Sequence, residues 1–570
     1  MRNLFLIGII FLASCSILGV HFKIHNPSRA GKYPKKTEAL VLLGNENSKY
    51  RTCYDVKYYS LDVLFPGNLL KEKKIEVQTQ MDFVAVCDFD SIQIDLAETM
   101  KLQWVNFTNS EMGTPKFSRV HSIVWVIFRG EKGKKYSLSM LAIGAPIEAR
   151  RPPWAGGFVR KEDNLKKPWW GVACEGEGAS LWWPCKDVMN DEPDSVDMYY
   201  KVPDPYIAVG NGTLIAKKEL GGCCKLNEYH WHVSYPINIY DVTFYIGNFK
   251  LWHDTYYSAV THDTLQLNHY VLEQNYDKAK THFLQLKKYL AFYEKTFGPY
   301  PWYRDGFKLV ESPYEGMEHQ SAIAYGNGFQ SDLRYGFDYI ILHETAHEWW
   351  GNSVTAKDMS DVWLHEGFAT YAEALYVESA FGHADYLKYL AEQKMFIINR
   401  RPVIGASGLR YFNYKDSDIY MKGTWVLHSL RYVIANDSLF FDIIHSFYME
   451  NRMKEIGTDK FEEIVNRKTG KDFHWFFQTY LYNRFTPELE YCVSGGKLFY
   501  RWGKTNADFK MEVGRTISDQ PGYSMISPVA DKIKFEVLEN PKQPIFFNDG
   551  QCLFKPVENK NLVKEFQKQK

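Results

Sequence analysis

The chain has 570 residues, more than one hydrophobic core ordinarily serves, so two to four domains are expected. Its 68 Lys and Arg balance 68 Asp and Glu, and no long basic run marks a nucleic-acid footprint, which excludes nucleic acid as an expected partner. Aromatic residues make up 16% of the chain; they suit large cores or stacking surfaces and do not choose between them.

Met1 to Val20 reads as a targeting segment, with Arg2 as the positive start and Leu4 to Leu12 as the apolar middle. Leu12-Ala13-Ser14-Cys15 resembles a bacterial lipobox. That resemblance implies a lipoprotein signal peptide over 1–15, an acylated Cys15 and a tether over 16–45. Several acyl chains, at about 0.8 kcal/mol per buried methylene, anchor a protein stably where one would not. The apolar run continues through Val20, so an uncleaved spanning anchor is the alternative. Both place the body on a membrane, facing outside the cytoplasm, in a periplasm or at a cell surface. No later stretch is long and apolar enough to span. Apart from Cys15 the cysteines are scattered with no CxxC pair. An exported chain permits disulfides, and Cys492 with Cys552 is the first pair to test, against two buried free thiols.

From about Tyr58 to His269 short alternating runs, such as Ile75 to Phe83 and His121 to Phe128, are separated by Gly, Asp and Pro. They predict a large all-β domain over 46–272, in which Asn211-Gly212 reads as a hairpin turn. The periodicity then becomes helical, over Asn275 to Phe297, Ala384 to Ile397, Asp418 to Asn436, Leu439 to Met453 and Asp459 to Asn483. This region, 273–486, holds the stretch Phe337 to Gly351, where Asp338 is a cap and His343, Glu344 and His347 have HExxH spacing. Positions four apart share a helix face, so both imidazoles reach one point, a geometry that suits zinc. Glu344 projects beside them, able to reach a water as general base without being a ligand. Downstream, Asp361 to Glu373 is a second helical pattern opened by Ser360 or Asp361, with eighteen residues between His347 and Glu366. Hydrolytic zinc sites use three protein ligands, so two His and one Glu fit catalysis. After Pro487 the pattern returns to strands, enough for a small β-sandwich over 487–558, followed by a charged tail over 559–570.

His343-Glu344-Thr345-Ala346-His347-Glu348-Trp349-Trp350-Gly351-Asn352 followed by Trp363 to Tyr371 resembles the double signature of the zinc aminopeptidase family that includes aminopeptidase N and the leukotriene hydrolases. Cys174 to Asp187 and Tyr235 to Phe244 resemble that family's N-terminal domain. The resemblance implies a multidomain α+β protein: a saddle-like N-terminal β domain, a thermolysin-like, mainly helical catalytic domain and a small C-terminal β-sandwich. It implies one zinc ion on His343, His347 and Glu366. Ile419 to His428 resembles the segment whose Tyr meets the oxyanion, which gives that role to Tyr420. Glu315 to Tyr325 resembles the GxMEN motif, making Glu318 the main clamp on the substrate amine, with Gly316 and Met317 beside it. Glu315 stands where the motif has Gly, and His319 where it has Asn. The second clamp maps to Glu175, with Glu177 as the competing carboxylate. Glu373, two helical turns beyond Glu366 on the same face, reads either as a hydrogen-bond partner of a ligand His or as an exposed helix Glu.

These readings converge on a membrane-anchored zinc aminopeptidase acting on peptides with a free N-terminus. The alternatives are a zinc endopeptidase, and a surface lipoprotein that binds peptides or glycans without catalysis. An intact set of His343, Glu344, His347, Glu366 and Tyr420 speaks against the last.

Overall fold

The computed structural model describes residues 45–221, 225–409, 417–517 and 522–569. The predicted signal peptide, the acylated Cys15 and most of the predicted tether lie outside them. Among the described residues no helix is long and apolar enough to cross a membrane.

The N-terminal region is built on a seven-stranded sheet centred on Tyr54–Leu64, which pairs antiparallel with Ile75–Ala85 and parallel with Ser195–Pro203. Tyr59, Leu61 and Val63 enter the core while Ser60 and Asp62 face the other way. A one-residue slip would bury the polar set, so the alternation sets the register. A four-stranded and a three-stranded sheet complete the region. The loop after Pro168–Ala173 is held by the fully buried Trp182 and Trp183. It is also held by a buried ion pair in which the Arg51 guanidinium meets Asp95 at 2.8 Å and donates to the Asp187 carbonyl at 2.9 Å. That loop carries Glu175.

The predicted hairpin at Asn211-Gly212 is not one. Ile207–Gly210 belongs to the four-stranded sheet and Thr213–Gly221 to the seven-stranded sheet, so the chain changes sheets there. The reason is the buried Asn211 side chain. It donates to the carbonyls of Asp241 (3.0 Å) and Gln320 (2.8 Å) and accepts from the Thr243 N–H at 2.8 Å, bonding to other segments where a hairpin turn would bond to itself.

A five-stranded sheet links this region to the helices. Its strands are β1 (Phe249–Tyr257), β2 (Thr264–Leu272), β3 (Leu309–Glu311), β4 (Gly316–Met317) and β5 (Ile323–Tyr325), in the order β1-β2-β3-β5-β4. The short β4 is therefore an edge strand. Helical structure runs from Tyr276 to Tyr480 and includes α1 (Tyr339–Ala346), α2 (Trp363–Phe381) and α3 (Met421–Ile434). The single helix expected from Asn275 to Phe297 is broken by a 3-10 turn at Phe283–Gln285. There Gln285 accepts the Asp338 N–H and Phe283 turns into the core against Tyr325.

The C-terminal region consists of a four-stranded and a three-stranded sheet. The stretch expected as a charged tail forms a helix, α4 (Leu562–Lys568), with Leu562 buried and Phe566 against the rings of Phe499 and Phe535 at 5.3 and 5.4 Å. Leu562 and Phe566 lie four apart on one face, a stripe outnumbered by charges in the composition. Cys492 and Cys552 are both free and buried, Cys492 beside α4 and Cys552 in the main core.

Candidate active site

The site forms where α1, α2, α3, β4 and the Glu175 loop meet. Asp338 caps α1 by accepting the Ile340 N–H at 3.0 Å, and it also takes the Tyr325 hydroxyl at 2.7 Å. Burial of Ile340, Ile341, Leu342 and Ala346 seats the helix, each large aliphatic contributing about 1.5–3 kcal/mol. This fixes the face that carries His343 and His347. The helices α2 and α3 cross at Gly367 and Gly423, where a Cβ on Gly367 would lie 3.0 Å from the Gly423 Cα. Only two residues without side chains allow that approach, and it brings Tyr420, just before α3, beside Glu366.

His343 Nε2 and His347 Nε2 are 3.1 Å apart, and each lies 3.3 to 3.4 Å from Glu366 Oε2. Their other ring nitrogens are taken: His343 Nδ1 meets Glu373 Oε1 at 2.7 Å, and His347 Nδ1 meets the Trp350 carbonyl at 2.9 Å. Both partners are acceptors, so each Nδ1 carries the proton and each Nε2 presents a lone pair. Two bare nitrogens and a carboxylate oxygen thus converge, which is repulsive without a cation. Tetrahedral zinc with bonds of about 2.0–2.1 Å sets its ligand atoms roughly 3.3 Å apart. The donor set fits one zinc ion.

Glu344 sits beside this point and β4. A Cβ on Gly316 would lie 2.3 Å from Glu344 Oε1, so the absence of a side chain there makes room for the carboxylate. Burial pushes Glu344 up to about 8, with His343 and His347 pulling it back. Burial and the carboxylates of Glu366, Glu175 and Glu318 hold the Tyr420 phenol well above its ordinary value, so it is a proton donor at neutral pH. Its ring lies 6.2 Å from that of His343.

Glu318 is buried. It accepts from Tyr240 Oη at 3.2 Å, while Asn352 Nδ2 donates to its carbonyl at 2.7 Å. Burial raises its pKa, against the pull of His347. Ligand atoms of Glu175, Glu318 and His365 lie within 4.8 Å of one another, and so do those of Glu318, Glu344 and His347. Two buried carboxylates therefore share a nook next to the metal set. Of the two rivals in the N-terminal loop, Glu175 is in this nook, while Glu177 turns to the chain just before Gly157–Glu162, where it accepts the Gly156 N–H at 2.7 Å. Met317 is buried beside Glu318, paired with Ala324 across the β4-β5 ladder.

Three neighbours had no role assigned from the sequence. Tyr240 and Asn352 hold Glu318 by side chain and backbone. His365 accepts the Ala356 N–H at Nε2 (2.8 Å), which leaves the proton on Nδ1, and burial draws its pKa down to about 3, so the ring is neutral. Its position next to Glu366 was the available signal. The contacts of Tyr240 and Asn352 across 78 and 34 residues left none.

Residues 282–480 match the family described as Peptidase family M1 domain. Mouse endoplasmic reticulum aminopeptidase 1 is 28% identical over 212 residues, 35% of this chain and 22% of that protein. Human aminopeptidase B is 27% identical over 190 residues, 31% of this chain and 29% of that protein. The matched stretch thus spans less than a third of these two relatives. An M1 zinc metallopeptidase mutant from Deinococcus radiodurans, solved with a Tyr-Ser-Ala substrate, superposes with a TM-score of 0.64 at 19% identity, covering 78% of this chain and 98% of that one. At that identity the likeness speaks for the fold. The match to the peptidase family M1 domain is confined to residues 282–480, and His343, Glu344, His347, Glu366, Glu318 and Tyr420 all lie within it.

Proposed function

We propose that this chain is a zinc-dependent aminopeptidase that removes the first residue from peptides with a free N-terminus. The observation that carries this reading is the pairing of three converging metal donors with an adjoining nook lined by two buried carboxylates, Glu318 and Glu175. An α-amino group has a pKa of about 7.7–8.0 and is largely cationic at neutral pH, so two carboxylates one residue from the metal recognise an uncapped chain end. The aminopeptidase names of the relatives support the same reading.

A zinc ion held by His343, His347 and Glu366 supplies Lewis acidity toward the scissile carbonyl and toward water. Glu344 takes the proton from the attacking water and returns it to the leaving amine. Tyr420 donates to the carbonyl oxygen as negative charge develops on it, a contact stronger in the transition state than in the ground state. Glu318 and Glu175 hold the ammonium group and so set the distance from chain end to cut. Glu373 keeps the proton of His343 on Nδ1 and the ring in its plane.

The test compares an unblocked tripeptide with its N-acetylated counterpart, using wild type and Glu344→Gln. Cleavage of the unblocked peptide alone is expected, with kcat reduced about 10²–10⁴-fold in Glu344→Gln while zinc stays bound. Equal cleavage of the acetylated peptide would make the protein an endopeptidase. Undiminished activity of Glu344→Gln would overturn the catalytic assignment. We also propose that the acylated Cys15 holds the chain on a membrane outside the cytoplasm, on the strength of Leu12 to Cys15. The same activity should sediment with membranes in wild type and stay soluble in Cys15→Ala; sedimentation of both would reject the lipid anchor.

A further inference from the structure

Glu315 is a carboxylate that the mechanism does not use, beside the edge of the cleft. It directly precedes β4, the open edge strand of the five-stranded sheet. Its carbonyl accepts the Gly326 N–H at 2.8 Å, tying its backbone to the chain just after β5. Its side chain is half-buried and accepts the Tyr339 hydroxyl at 3.0 Å. Tyr339 lies one helical turn before His343 on the same face of α1, so this bond holds the carboxylate near the metal-binding face. Among the described residues Glu315 has no ion pair, and the ammonium of Lys161 is engaged by the Pro313 carbonyl at 2.6 Å.

The order of groups along this edge gives the carboxylate a place in the reaction. Glu318 belongs to the amine nook and Gly316 abuts Glu344, which acts at the scissile bond. Glu315 is next in chain order, one residue beyond Gly316 and three from Glu318, with its carboxylate on Tyr339 of α1. An extended peptide rises about 3.3 Å per residue. A substrate with its amine at Glu318 and its first carbonyl at Glu344 therefore brings its second residue to Glu315. We infer that Glu315 selects peptides whose second residue is Lys or Arg, by facing that residue's cation with a carboxylate that no cation among the described residues pairs. This rests on the aminopeptidase reading and adds a substrate class to it.

The zinc-loaded full chain is given three tripeptides, Ala-Lys-Gly, Ala-Gln-Gly and Ala-Glu-Gly, and kcat/KM is measured for each. The readout is the Lys-over-Glu ratio within one preparation, which cancels any loss of folded or loaded enzyme. A half-buried charge pair near 4 Å predicts a ratio of about tenfold or more in wild type. In Glu315→Gln, which keeps an acceptor for Tyr339, the ratio should fall toward one, and in Glu315→Lys it should invert. A wild-type ratio near one, or a ratio that persists in Glu315→Gln, overturns the inference and leaves the aminopeptidase reading standing. Failure to cleave any of the three overturns that reading and this inference with it.

Discussion

His343 and His347 each commit one ring nitrogen to an acceptor and turn the other toward Glu366. The Nδ1 partners, Glu373 in one case and the Trp350 carbonyl in the other, favour the tautomer that leaves Nε2 to a metal. Glu373 is itself held by the Tyr389 hydroxyl. Replacing Glu373 with Ala frees the His343 ring to rotate or to move its proton to Nε2. Zinc affinity is then expected to fall about 10–100-fold, measured by competition with a chelator while far-ultraviolet circular dichroism stays unchanged; an unaltered affinity would rule out this role. Glu373 could be read ahead of the structure because it lies on the same helix as Glu366, at a spacing that shares a face. His365 adjoins Glu366 in the chain, yet its direction depends on an N–H from Ala356 that spacing does not reveal.

At the scale of elements, the site depends on close approaches as much as on side chains. The α2-α3 crossing at Gly367 and Gly423 brings Tyr420 to Glu366, and Gly316 admits Glu344 against β4. Gly316→Ala would force a methyl to within 2.3 Å of Glu344 Oε1, moving the base and leaving the metal donors alone. A displacement near 1 Å can lower rate by about 10²-fold. We expect that loss in kcat with zinc content unchanged and only a few degrees' shift in the thermal midpoint; normal kcat would show that the base has room to spare. Helices opened by a capping residue and a buried apolar run were readable locally, as at α1 with Asp338 and Ile340 to Leu342. Features that depend on a distant partner were not, among them the broken helix at Phe283–Gln285, the sheet change at Asn211 and the α4 helix in a charge-rich end. In each a tertiary contact outweighs local preference.

For the whole molecule, the cleft is a junction. The candidate metal donors come from α1 and α2, Tyr420 from the start of α3, Glu318 from the chain after β4, and Glu175 from a loop of the N-terminal β region pinned by Arg51, Asp95 and two buried tryptophans. The sequence by itself determined the pattern of candidate metal donors: two histidines four apart and a carboxylate on a second helix can be read because helical spacing is local and repeats every 3.6 residues. It also determined the β, helical, β order of the chain, since strand and helix periods differ. Only the tertiary structure decided that Glu175 and not Glu177 joins Glu318, that Tyr240, Asn352 and His365 surround the nook, and that Cys492 and Cys552 stay apart. Those outcomes turn on which surfaces are packed together, and packing is set by the summed shape of side chains far apart in the chain, which no local pattern encodes.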